Sequence, residues 1–201
     1  MATDEDATAT TLPSRLTTDG LPPHRDAAAV LIQPSAPEVH LVGLRPSDRT
    51  LVGRWLREPG VQRWWGNAGV AEAEIALALD SESAICRLIC LGDQPIGYAH
   101  ALDTANLSER MPVAIPPGSF ECDLFIGVEA HRGQGHGQRA LELLVDEVFA
   151  TTLAVACSIV VSIRNERAVR AYERAGFRWV QVQPDPVSGP SWIMLRERPR
   201  R

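Results

Sequence analysis

Apolar residues at Ala140, Leu141, Leu144, Val145 and Val148 recur at helical spacing, with Arg139, Glu142, Asp146 and Glu147 on the opposite face. Just upstream, residues 120–128 (FECDLFIGV) are rich in β-formers and predict a strand. Between them lies His131-Arg132-Gly133-Gln134-Gly135-His136-Gly137-Gln138. A strand therefore runs into a glycine loop, and the loop opens a helix. The remaining pattern fills in around this unit. Residues 39–44 predict a first strand, and Ser47 offers an N-cap for a helix to about Arg57 that Pro59-Gly60 stops. A short helical segment carries Val61 to Trp65 and ends at Gly66, and residues 71–79 predict another helix. Residues 84–91 and 95–101 form a hairpin across Gly92-Asp93-Gln94. Residues 103–118 are a long, proline-containing loop, a length that often carries function. A fifth strand over 158–163, a helix over 165–175 stopped by Gly176, and a closing hairpin of 178–183 with 191–196 complete the chain.

Strand, crossover helix and strand within a mixed sheet give an α/β layer architecture. The 201 residues suffice for one well-filled core, with 45% hydrophobic and 22% charged residues. Residues 38–201 are expected to form that domain. Residues 1–37, rich in Ala, Thr, Asp and Pro, are expected to be a mobile or loosely packed leader. No apolar run reaches membrane length and no basic segment precedes an apolar one as in a signal peptide, so no membrane partner is expected. A net charge of −5 gives nucleic acid little electrostatic support and mildly favours a cationic substrate. All 20 basic residues are arginine. Cys86, Cys90, Cys122 and Cys157 read as packed, reduced thiols in a cytoplasmic protein, and neither they nor His131 and His136 carry metal-ligand spacing.

The glycine loop is the chemical centre. Glycines at alternate positions turn the backbone sharply and leave N–H groups open at a helix N-terminus, where the peptide dipoles favour an anion. The pattern is not that of a nucleoside-triphosphatase, which ends in Gly-Lys-Ser/Thr, because the chain has no lysine. Nor is it a dinucleotide fingerprint: Gly133, Gly135 and Gly137 run G-x-G-x-G. Arg132-x-x-Gly135-x-Gly137 instead resembles the acetyl-coenzyme A loop of the Gcn5-related N-acetyltransferases. Asn165-Glu166-Arg167-Ala168 and Tyr172-Glu173-Arg174-Ala175-Gly176-Phe177 resemble that family's second motif, and the likeness spans roughly residues 40–197.

The resemblance implies a central, mostly antiparallel mixed sheet whose fourth and fifth strands splay apart, with the pantetheine arm of acetyl-coenzyme A in the gap. It implies main-chain contacts to the cofactor from Leu124, Phe125 and Ile126, and pyrophosphate contacts from the backbone N–H groups of Arg132, Gly133, Gln134, Gly135, His136 and Gly137. The Arg132 guanidinium either adds a charge-assisted contact or stands as a solvated loop arginine. Asn165 is either a plain N-cap or a cofactor contact as well. A carboxylate, Asp123, stands in an otherwise apolar strand on the same face as Glu121 and Phe125. Asp123 to Gly127 resembles the Asp-bearing strand of aminoglycoside 6'-N-acetyltransferases, where the aspartate faces the acceptor amine. Tyr172, seven residues after Asn165 on an amphipathic helix, is either a core ring or the family's matching tyrosine, which projects toward the thioester sulfur and donates a proton or hydrogen bond to the departing thiolate.

Trp55 to Pro59, Trp64-Trp65-Gly66 and Gln94 to Ala99 look like the same branch. They place Trp64, Trp65 and Tyr98, with Glu121 and Asp123, among the substrate-binding candidates. Two adjacent tryptophans on one short helix cannot both point inward, so one packs and the other forms a wall. The chain departs from the branch at Val160 to Asn165, which lacks an acidic Asp-Pro segment, and the 103–118 loop has only Asp103 and Glu109 to hold a polycation. The expectation is a monomeric or homodimeric acetyltransferase acting on a small cationic amine, foremost an aminoglycoside 6'-amine. A siderophore hydroxylysine or other small-amine acetyltransferase is the alternative enzyme, and an acyl-coenzyme A-binding regulatory protein the non-enzymatic one.

Overall fold

The structure, a computed structural model, describes residues 37–107, 112, 114–184 and 189–200. The expected leader thus lies almost wholly outside the described residues, as do Glu109 and the tip of the closing hairpin. Among the described residues seven strands form one sheet: β1 (Val39–Gly43), β2 (Ile85–Leu91), β3 (Gln94–Asp103), β4 (Phe120–Ile126), β5 (Ala156–Ser162), β6 (Arg178–Gln183) and β7 (Ser191–Glu197). Their order is β1-β2-β3-β4-β5-β7-β6, antiparallel throughout except for β4 beside β5. Five helices cover it: α1 (Arg49–Leu56), α2 (Pro59–Trp65), α3 (Ala68–Leu79), α4 (His136–Thr151) and α5 (Glu166–Arg174).

Strand alternation sorts the apolar side chains onto two faces. Phe120, Cys122 and Leu124 of β4 join Leu141, Leu144 and Val145 of α4 and Tyr172 of α5 in one core. Phe125 turns the other way, with Cys86, Leu88 and Tyr98, toward Trp55, Val61 and Ile75 of α1 to α3. All four cysteines are buried and unbridged.

Three local readings change. Ser47 does not cap α1: with Pro46 preset for a first turn, Pro46–Asp48 forms a 3-10 turn. Asp48 then takes the cap position, its carboxylate accepting the Arg45 N–H at 2.9 Å. Pro59-Gly60 does not merely end α1 but supplies the first turn of α2, where the missing proline N–H costs no bond. The long loop also holds a 3-10 turn, Thr104–Asn106, capped by the Asp103 carboxylate. Gly97 is required by close approach, since a Cβ there would lie 2.2 Å from the Phe125 carbonyl oxygen on β4.

The far end of α4 is tied down by Arg198. Its guanidinium donates to the carbonyls of Phe149 (2.6 Å), Thr152 (2.8 Å) and Ala154 (2.6 Å), and lies 4.9 Å from the Phe149 ring centroid. The Phe149 and Thr152 carbonyls belong to the helix end, which leaves its last carbonyls unpaired, and a cation complements the dipole there. Arg198→Ala should lower stability by about 2 kcal/mol, read as a lower urea midpoint at an unchanged slope. An unaltered midpoint would mean that water replaces the guanidinium at no cost.

Candidate active site

Parallel strands β4 and β5 stay in register over only two residue pairs, Phe120↔Cys157 and Glu121↔Ser158. Beyond Glu121 the rest of β4 pairs with β3 alone, while β5 pairs along its length with β7. A cavity of about 310 Å³ opens in the wedge. Its walls are Asp123 to Ile126 of β4, Val160 to Ser162 of β5, the glycine loop, the inner face of α5, and Trp64 and Trp65 of α2.

At one end of the wedge the loop residues Gly133 and Gly135 adopt φ +78° and +87°, which a side chain rarely tolerates, and Gly135 is the N-cap of α4. Gly137 differs, being already helical. A Cβ there would sit 3.5 Å from the Leu124 Cδ1 atom, an ordinary contact, so a methyl group would fit at a position that lines the cavity. The loop presents N–H groups at the start of a sixteen-residue helix.

The flanking side chains differ in where they are engaged. Arg132 lines the cavity and is also bonded to its own strand. Its Nε and Nη2 donate to the carbonyls of Ile126 (2.8 Å) and Gly127 (2.6 Å), clamping the exit of β4. Gln134 folds back onto the Ala130 carbonyl and does not line the cavity. Nor does His136, whose ring packs at 5.8 Å from His131 and whose Nε2 is buried without a partner. Arg167 brings a second guanidinium to the cavity wall. Its guanidinium lies over Gly133, with Nη1 3.0 Å from where a Cβ would be, and it lines the cavity. Its position in Asn165-Glu166-Arg167-Ala168, next to a cavity-lining cap, was the available clue. Asn165 caps α5, its side chain accepting the Ala168 N–H at 3.3 Å, and it lines the cavity too.

Asp123 and Tyr172 both reach the cavity wall, from β4 and α5. Burial pushes the Asp123 carboxyl up to about 8; Glu121 and Glu74 push the same way, against a 2.7 Å bond from the Leu124 N–H. Burial also pushes the Tyr172 hydroxyl up, with Asp123 and Cys122 adding to the effect, so it stays protonated at neutral pH. Glu121 lies outside the cavity lining, its carboxyl raised by burial and by Glu74 of α3. That third carboxylate, more than forty residues upstream, is invisible to spacing along the chain.

Trp65 is the packing tryptophan, edge-on to Phe125 at 4.9 Å, His100 at 5.9 Å and Tyr98 at 6.2 Å. Trp64 is 39% exposed, with the Arg63 guanidinium 4.8 Å from its ring centroid. Tyr98 is corrected from substrate contact to core: it is fully buried, and its hydroxyl donates to the Cys86 sulfur at 3.6 Å. Among the described residues no cluster of three His, Cys, Asp or Glu is placed to hold a metal, and no helix is long and apolar enough to cross a membrane.

Residues 45–182 match the family described as the acetyltransferase (GNAT) domain. The chain is 26% identical over 159 residues to the aminoglycoside N(6')-acetyltransferases type 1 of Klebsiella pneumoniae and of Serratia marcescens, covering 75% of this chain and 79% of each relative. Its fold matches the crystal structure of aminoglycoside acetyltransferase AAC(6')-Ib in complex with coenzyme A and kanamycin. The TM-score is 0.68 at 24% identity, over 80% of this chain and 95% of that one.

A buried carboxyl makes stability depend on pH. Asp123 ionises near 3.8 when unfolded and near 8 when folded, so folding takes up a proton between those values. Its stabilising contribution is complete below about pH 4 and is lost as the pH rises through 8. Asp123→Asn should therefore gain thermal stability relative to wild type on going from pH 5 to pH 9. A Tm difference that is constant across that range would place the carboxyl in solvent.

Proposed function

The chain belongs to the GNAT acetyltransferase family, and on that premise we propose that it transfers the acetyl group of acetyl-coenzyme A to a primary amine of a small polycation, an aminoglycoside 6'-amine. The observation that carries this reading is that an acid and a base candidate, Tyr172 and Asp123, line one cavity that the phosphate-binding type of loop closes at its end. The loop fits the cofactor: two positive-φ glycines, a helix N-terminus and the open space at Gly135, where a Cβ would meet nothing within 4 Å, leave room for a pyrophosphate against main-chain N–H groups. Arg167 supplies the nearby positive charge. When bound, the cosubstrate supplies an activated acetyl group as a thioester.

The protein's part is proton management. An aliphatic amine arrives as an ammonium ion, and the carboxylates Asp123, Glu121 and Glu74 attract it to the acceptor side. A neighbouring cation lowers the Asp123 pKa, so the carboxyl ionises as substrate enters. Asp123 then accepts the ammonium proton, which frees the nitrogen lone pair. As the C–N bond forms and the C–S bond breaks, Tyr172, held protonated, donates its hydroxyl hydrogen at the departing sulfur. The second proton shed by the nitrogen then restores the hydroxyl. Trp64 offers an exposed ring face to the body of the substrate. The names of the two relatives support the aminoglycoside. The cytoplasm, where acetyl-coenzyme A is made and used, is the compartment that suits this activity.

Purified protein mixed with acetyl-coenzyme A and kanamycin should release free thiol, with kcat/KM rising to a plateau above about pH 8. Asp123→Asn should lose roughly 10²- to 10⁴-fold in kcat/KM and lose that rise, and Tyr172→Phe should lose kcat while binding cofactor normally. Absence of thiol release with kanamycin, alongside release with a simple polyamine, would move the substrate class and keep the enzyme. The cofactor loop has its own test. Gly137→Ala should fold as well as wild type, because the protein leaves room for the methyl group. It should nevertheless lose most of the Tm increase that acetyl-coenzyme A gives the wild type. An undiminished increase would place the phosphates elsewhere.

A further inference from the structure

His100 has no role in the chemistry above, yet its placement is unusual. It stands directly opposite Asp123 across the β3–β4 pair. Register partners of this kind share a face, with Cβ atoms roughly 4.5–5.5 Å apart. The Trp65 ring lies over the same patch, in contact with His100 and Phe125. The His100 Nδ1 is buried and without a hydrogen-bond partner among the described residues. Burial of this kind without a partner is costly, and such atoms in folded proteins call for an explanation. Opposite it, Asp123 commits Oδ1 to the Leu124 N–H and keeps Oδ2 free.

From this juxtaposition we propose that His100 is the positioning partner of Asp123: its Nδ1 accepts the hydrogen bond of the protonated carboxyl and holds that carboxyl neutral until a cation arrives. The inference rests on the reading of Asp123 as the acceptor-side carboxyl. The imidazole carries its own proton on Nε2 and remains neutral, since burial pushes its pKa down to about 4. When an ammonium ion enters, Asp123 ionises and its proton passes to solvent. The hydrogen bond to Nδ1 is then broken, and the carboxylate is free to take the amine proton.

The other titratable groups facing this pair are few. Cys86 of β2, beside His100, and Tyr98 of β3 are both pushed up by burial and stay neutral through the working range. Tyr172 of α5 and Cys122 of β4 are likewise raised. Glu121 of β4 and Glu74 of α3 are the remaining carboxyls near Asp123. The control must therefore separate Asp123 from those two.

The test is histidine-selective NMR of the full chain, without cofactor or substrate, from pH 5 to 10. In wild type the His100 ring resonances should move with an inflection near pH 8, as the partner carboxyl ionises, and Asp123→Asn should abolish it. Resonances that stay flat from pH 6 to 10, or an inflection that survives in Asp123→Asn, would overturn the pairing. Kinetics give a second reading. His100→Phe should shift the rising limb of kcat/KM about one pH unit lower, because a bond to the neutral form of the acid is lost. His100→Gln, which keeps an amide acceptor, should move the limb back toward wild type. A limb that stays in place in His100→Phe would also overturn the proposal. An Asp123-dependent NMR inflection combined with full activity of Asp123→Asn would uphold the pairing and remove the general-base reading.

Discussion

The separation of β4 from β5 is the constraint on which the site depends. Two register pairs hold the parallel strands together at Phe120 and Glu121, and every residue of β4 beyond them has a strand on one side only. A half-paired strand inside a sheet needs other support. Here the α4 core packs under Leu124, the Arg132 fork grips the carbonyls at the strand's exit, and Gly97 lets β3 press against Phe125. The wedge stays open because both of its walls are held from behind.

Within the wedge, charge is handled by burial more than by pairing. Asp123 and Tyr172 line a cavity whose walls strip them of water, and each is held in its protonated form. For Tyr172 this is the state in which a hydroxyl donates. For Asp123 it means that the site carries less negative charge than its carboxylates suggest. Glu121 and the exposed Glu74 add to that effect, since both push the Asp123 carboxyl toward its neutral form.

Much of this was legible in the chain. The helix of Ala140 to Val148, the strand before it and the glycine loop between them follow from periodicity and glycine spacing, and the structure has all three in place. Local chemistry also marks Asn165 as a cap and Gly135 as a turn. What spacing could not supply was direction and distance. Tyr98 alternates correctly for its strand, but only the packed fold shows that its hydroxyl turns to Cys86. Arg132 sits in the right motif and lines the cavity, yet only the packed fold shows that two of its nitrogens are spent on the carbonyls of Ile126 and Gly127. Glu74 and His100 belong to elements far along the chain from Asp123, and only the sheet register and the α3 packing bring them near. Ser47 and Pro59 were misread for a smaller reason: a proline at the first helical position moves the start of a helix by a residue or two.

The sheet order carries a consequence for the birth of the molecule. β7 lies between β5 and β6, so it completes both of them, although it follows both in the chain. A ribosome making this protein at about 5–20 residues per second exposes β1 through β4, the loop and α4 well before residues 191–197 appear. Until they do, one wall of the wedge has a bare edge, and the last turn of α4 lacks the guanidinium of Arg198. The nascent chain therefore owns every residue of its catalytic cleft for some time before it owns the cleft itself.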